Sequence, residues 1–115
     1  MATECNLTGD TPITATVTTK MPLAEAVGVV DFDIASMIAT VTDKAGTNFT
    51  LNLITGNSKS TEAGWVIAAT FVAGASTTGS WGANTTFLGK YLRWEIVLNG
   101  ATSVTFVVSG LLRHN

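Results

Sequence analysis

YLRWEIVLNGATSVTFVVSG (residues 91–110) decides the fold, because two runs of alternating apolar residues flank Asn99-Gly100 and suggest a β-hairpin. A two-residue turn at Asn99-Gly100 would set Trp94 opposite Thr105 and Ile96 opposite Ser103, leaving Val104 and Phe106 on the wrong face. A shift of one residue instead brings Trp94 to Phe106, Ile96 to Val104 and Leu92 to Val108. The apolar pattern outweighs the turn dipeptide. Two arrangements satisfy it. One is an odd-numbered loop, Asn99 to Ala101 or Leu98 to Thr102, with Gly100 or its neighbour in a left-handed or bulged conformation. The other places the two runs in opposite layers, joined by a sheet-to-sheet crossing.

Outward from that stretch, Thr, Val, Ile and Phe are interrupted every eight to twelve residues or so by Gly, Asn, Ser and Asp, the punctuation of an all-β sandwich or barrel. Candidate strands are 12–19, 27–34, 37–42, 48–54, 65–72, 85–88, 91–98 and 103–109. Within DFDIASMIATV, the residues Ile34, Met37, Ile38 and Val41 fall at helical spacing, but the β-branched content and the following TVT favour a strand. PLAEA (22–26) fits a single helical turn opened by Pro22. The expected fold is therefore all-β: one antiparallel β-sandwich of about eight short strands, jelly-roll-like, spanning 1–115, with residues 1–11 as an extended N-terminal arm held against a neighbour.

Period-2 alternation assigns the faces. Phe49, Leu51 and Leu53 oppose Asn48, Thr50 and Asn52, and Trp94 and Ile96 oppose Arg93 and Glu95. The expected inward set is Trp65, Ile67, Phe71, Trp94, Ile96, Val104, Phe106 and Val108, each worth about 1.5 to 3 kcal/mol when buried if large. On the strand from 65 to 72, Val66, Ala68 and Val72 are apolar on the other face too, so a loop or a partner should cover it.

Composition narrows function. Of the 115 residues 46% are hydrophobic and 12% charged, about half the usual charged share, so the surface must be largely Thr, Ser, Asn and Gly. A formal charge of −2 with scattered basic residues excludes a phosphate-backbone footprint, so no nucleic-acid partner is expected. The opening MATECNLTGD lacks a signal-peptide pattern and GWVIAATFVAGA (64–75) is too short to span a bilayer, so no membrane partner is expected. Cys5 is the single cysteine and reads as structural.

Chemistry-bearing patterns are sparse. Asp31 and Asp33 could offer two oxygens to calcium, but no third acid or glycine turn follows, and a solvated strand face is the better account. GASTTGSWG (74–82) lacks the lysine of a phosphate-binding loop and reads as an irregular loop. His114, the one imidazole, sits beside the chain end. No catalytic residue, metal ligand or cofactor is expected, and the chain reads as a non-enzyme. Candidate contacts for an interface or a glycan are Trp81, Tyr91, Arg93, Glu95, Val66 and Val72. Trp81 and Tyr91 could stack on sugar rings; the plainer alternatives are a loop anchor for Trp81, a strand-end plug for Tyr91 and an intrasheet pair for Arg93.

The order LNLITGNSKSTEAGWVIAATF, a glycine-rich loop, then FLGKYLRWEIVLNGATSVTFVVSGLL resembles small β-sandwich structural proteins of tailed bacteriophages, the capsid decoration (cement) proteins, and more distantly the galactose-binding-like jelly roll. It covers roughly residues 48–112, carried by Trp65 and Phe71 on one strand and by Tyr91, Arg93 and Trp94 on another. The resemblance implies a virion component, oligomeric, that clamps major capsid subunits. A carbohydrate-binding module and a tail or baseplate component are the alternatives.

Overall fold

The computed structural model describes residues 2–114 and is an eight-stranded antiparallel sheet. The strands are β1 (Ala2–Asn6), β2 (Ile13–Ala15), β3 (Thr19–Lys20), β4 (Val27–Gly28), β5 (Ile34–Gly56), β6 (Val66–Ala75), β7 (Gly79–Thr85) and β8 (Tyr91–Arg113), with one 3-10 turn at Leu23–Glu25 after Pro22. The all-β antiparallel class expected from the sequence is what the chain forms.

Its strands are not uniformly short. β5 and β8 each run 23 residues and pair antiparallel along their whole length, Ile34 with Arg113 at one end and Gly56 with Tyr91 at the other. On the outer side of β8, the segment from β1 to β4 tracks it in four pieces, from Arg113 back to Tyr91. On the outer side of β5, β7 pairs with its first half and β6 with its second. The candidate strands at 37–42 and 48–54 are thus one strand, as are 91–98 and 103–109.

This four-ribbon sheet is folded across its middle. Trp94 and Phe106 lie twelve residues apart on β8, a span of about 40 Å if extended; their ring centroids are 4.9 Å apart and nearly perpendicular. The strand must therefore double back, and Asn99-Gly100 lies at the crease. Gly100 has φ +102° and Gly46, beside it on β5, has φ +86°. A side chain at Gly46 would strike the Gly100 carbonyl oxygen at 2.6 Å. Asn48 faces both Asn99 and Gly100, a bulge that sharpens the bend. Gly74, at the crease end of β6, also has positive φ, +65°. The odd-loop hairpin is corrected: Trp94 pairs with Leu53 and Phe106 with Val41, both on β5, and the apolar register is satisfied by the crossing between layers.

The core lies between the two halves. Met37, Ala39, Val41, Val104, Phe106 and Val108 line one side, and Phe49, Leu51, Leu53, Leu92, Trp94 and Ile96 the other. Two members of the expected inward set are corrected. Ile67 is 54% exposed and Trp65 is half-buried outside the core cluster, because register shifts in the β5–β6 pairing break the alternation between 67 and 69 and again between 70 and 72. The second shift turns Val72 toward the core, against which it packs. Residues 79–82, the end of the stretch expected as loop, belong to β7, of the strand expected at 85–88 only Thr85 does, and residues 2–6, expected as an arm, pair with this chain's own β8. Asp31 and Asp33 fall in the turn before β5, not on a strand face.

Candidate functional site

Folding the sheet gives it two outward faces, and the chain treats them differently. The face formed by the second half of β5 and the first half of β8 is crossed by the segment 57–65. Arg93 projects there, yet it is only 1% exposed. Its Nε donates to the Met21 carbonyl at 2.8 Å, and its two terminal nitrogens donate to the Glu62 carboxylate at 2.8 and 3.1 Å. The Trp65 indole lies on the guanidinium at 4.7 Å, while its Nε1 donates to the carbonyls of Ser58 and Thr61. A side chain at Gly56 would strike that indole, so the glycine lets it lie flat. Ile54, paired with Arg93, is 3% exposed although it stands outside the core cluster.

Arg93 is therefore corrected from an outward contact to a buried anchor. Period-2 reading placed it on the outer face, which is right, but could not foresee the segment that folds over that face. Beside it, Asn52 donates to Glu95 at 2.9 Å and accepts from Thr70 at 2.8 Å, which is how a polar Asn is 4% exposed on an outward position. Glu95 is half-buried in this ladder. Tyr91 sits at the strand end, with the Lys59 ammonium 5.9 Å over its ring.

Trp81 belongs to neither outer face. It lies on β7, half-buried, with its ring edge-on to Phe49 at 6.0 Å and against Gly79, so it anchors β7 to the core. Neither Trp81 nor Tyr91 is a bare aromatic platform. Val66, 48% exposed, stands at the start of β6 beside Phe87, which is 60% exposed. The six sequence-derived contacts are thus dispersed: Tyr91, Arg93 and Glu95 share the covered face, Val66 and Val72 lie on β6, and Trp81 faces inward.

Among the described residues no segment covers the second outward face. It is built from β7, the first half of β5, the second half of β8, and β1. Across it run the rows Ser80, Thr40, Val107; then Gly82, Ile38, Ser109, Asn6; then Asn84, Ser36, Leu111, Glu4. In an antiparallel sheet the diagonal neighbours of Ile38 are Val107 and Leu111, and Ile34 is diagonal to Leu111. These four make an apolar stripe across a hydroxyl and amide surface. Ile38 is 55% and Leu111 41% exposed. Opposite Ile38 stands Gly82, and the missing side chain leaves an open groove of about 460 Å³ between Ile38, Asn84 and Leu111.

Hydrogen bonds across this face fix its polar groups. Ser36 bonds Asn84 and accepts from Arg113 at 2.9 Å; Thr40 bonds Ser80 at 3.0 Å and Thr14 bonds Thr105 at 2.7 Å. In the three rows the single charged residue is Glu4, with Arg113 one pair further along. Sequence reading missed this stripe, although its signal was present. Ile34, Met37, Ile38 and Val41 look helical, but in a strand they must split, Met37 and Val41 inward and Ile34 and Ile38 outward.

Cys5 is buried, and burial pushes its thiol up to about 11, so it stays protonated at neutral pH. Among the described residues no group of three or more His, Cys, Asp and Glu could hold a metal ion, and no helix is long and apolar enough to cross a membrane. Comparison of the chain with protein-family models, with curated proteins and with solved structures found no match.

Proposed function

We propose that the protein is a non-enzymatic virion component, a capsid decoration protein of a tailed bacteriophage, and that its bare outer face docks on the shell. The observation that carries this reading is the diagonal stripe of Ile34, Leu111, Ile38 and Val107 set among paired Ser, Thr and Asn side chains. The hydroxyls and amides are already held by one another, so burying them against a partner leaves few unpaired groups. The exposed apolar area is what docking removes from water. The order of features across residues 48–112, which resembles decoration proteins, supplies the choice of partner.

The test is co-sedimentation with shells assembled from the major capsid protein of the same phage. Wild-type protein should pellet with the shells. The double variant Ile38→Lys/Leu111→Lys should lose about 2 kcal/mol of binding, roughly thirtyfold in affinity, since each side chain is already half removed from water. Raising the salt concentration should change wild-type binding little, because few charges take part. A wild-type chain that stays in the supernatant, or a variant that pellets as well as wild type, would defeat the proposal.

A further inference from the structure

The sheet has two open edges, and they are protected unequally. The edge along β8 is formed by β1 to β4, broken into pieces of five, three, two and two residues, with Pro12 and Pro22 between them and Glu4 and Lys20 on them. Short pieces, prolines and charges are the features that stop an edge from accepting another strand. The edge along β5 is formed by β6 and β7. From Ala63 to Gly89 the sequence contains no charged residue and no proline. β6 runs ten residues, pairs on one side with β5, and has no ladder to β7, which touches it through the Thr85 hydroxyl at the Ala68 carbonyl, 3.4 Å. Val66 and Ile67 at its start are about half exposed.

We propose that β6 is a self-association edge, on which β6 of a second copy pairs antiparallel across a twofold axis. A strand without charge meets its own copy without repulsion, which a chain of net charge −2 does not offer everywhere on its surface. Self-pairing of identical edges is isologous and closes at two copies. The blunted edge of β1 to β4 then stops further growth, so the product is a dimer and not a fibre. With the axis near Thr70, the centre of β6, Ile67 of each copy lies opposite Ala73 of the other. The inference stands whether or not the bare face binds a shell.

The experiment measures mass in solution by light scattering over a concentration series. Wild-type protein should show twice the 11.9 kDa chain mass. Ile67→Lys/Ala73→Lys places like charges opposite each other, at two exposed positions, and should halve the mass; Ile67→Glu/Ala73→Glu should do the same. Mixing the two variants should restore the doubled mass, which also shows that both are folded. A monomeric wild type, an open-ended series of larger species, a dimer that survives the lysine variant, or variants that fail to pair on mixing would each overturn the proposal.

Discussion

The two outward faces of the folded sheet are made from the same two strands, yet one is sealed and the other is bare. On the sealed face β5 and β8 present Ile54 and Arg93, and segment 57–65 lies over them with Trp65 and Glu62. On the bare face the same strands, a bend further along, present Ile38 and Leu111, and none of the described residues forms a segment across them. Both faces therefore carry apolar residues at outward positions, and the chain spends nine residues covering only one. An outward isoleucine on this sheet is thus not a defect in patterning. It is either internal packing or part of the surface proposed above for contact.

Arg93 carries the greatest weight on the sealed face. If the sealed face is part of the packed interior, truncating Arg93 removes a buried cation together with its three hydrogen bonds and the indole stacked on it. Arg93→Ala should cost about 3 kcal/mol in denaturant unfolding, with the glutamate returned to water and Trp65 fluorescence shifted toward that of an exposed indole. Arg93→Lys should recover little of the loss, since an ammonium cannot make the forked pair and the stack at once. A loss under about 0.5 kcal/mol, the range of ordinary surface changes, would show that segment 57–65 merely rests on the sheet.

How far these faces were legible in the sequence depends on the bend. Alternation in residues 91–98 and 103–109 identified Trp94, Ile96, Val104, Phe106 and Val108 as core, and required that Trp94 meet Phe106. It could not show that they meet across layers, because a bulge at Gly100 preserves the same parity as an odd loop. The glycine mattered more than the Asn-Gly pair: its φ of +102° is what the crease needs, and a Cβ there would lie 2.0 Å from the Thr47 hydroxyl. Where bulges interrupt β6, alternation misassigned Ile67 and Val72. Where a segment returns over the sheet, as at Arg93, position along the strand specified direction but not burial, which depends on contacts 31 residues away.

A smaller effect separates the faces by pH. The Arg93 guanidinium hydrogen-bonded to the Glu62 carboxylate holds that carboxyl below its ordinary value of 4.5, against the opposing desolvation, with Arg93 and Lys20 charges adding to the lowering. A group whose folded pKa is depressed contributes stability that is present above the unfolded value and lost as pH falls through the folded one. Acidification below 4.5 should therefore loosen segment 57–65, read as faster proteolysis within it and a change in Trp65 emission. Glu62→Gln should show the loosened behaviour already at neutral pH and lose the acid transition. An identical acid transition in that variant would assign the change to another group. Among the described residues no buried arginine holds a carboxylate on the bare face as Arg93 holds Glu62, so reporters at Ile38 should not respond in the same range.

The bare face itself should respond least to substitution. Ile38 is half exposed and its outward neighbours are Ser109 and Gly82 across the strands, so little packing is lost when it is shortened. Thr is β-branched and suits a strand equally well. Ile38→Thr should therefore change stability by no more than about 0.5 kcal/mol, whereas Ile54→Thr, at a position 3% exposed on the sealed face, should cost about 2 kcal/mol through the methyl groups lost and the hydroxyl buried. Two isoleucines on one strand, both directed outward, would then differ severalfold in their weight in folding. Equal costs at the two positions would mean that the stripe containing Ile38 is held by the fold for its own stability, and the bare face would lose its claim to be kept for a partner.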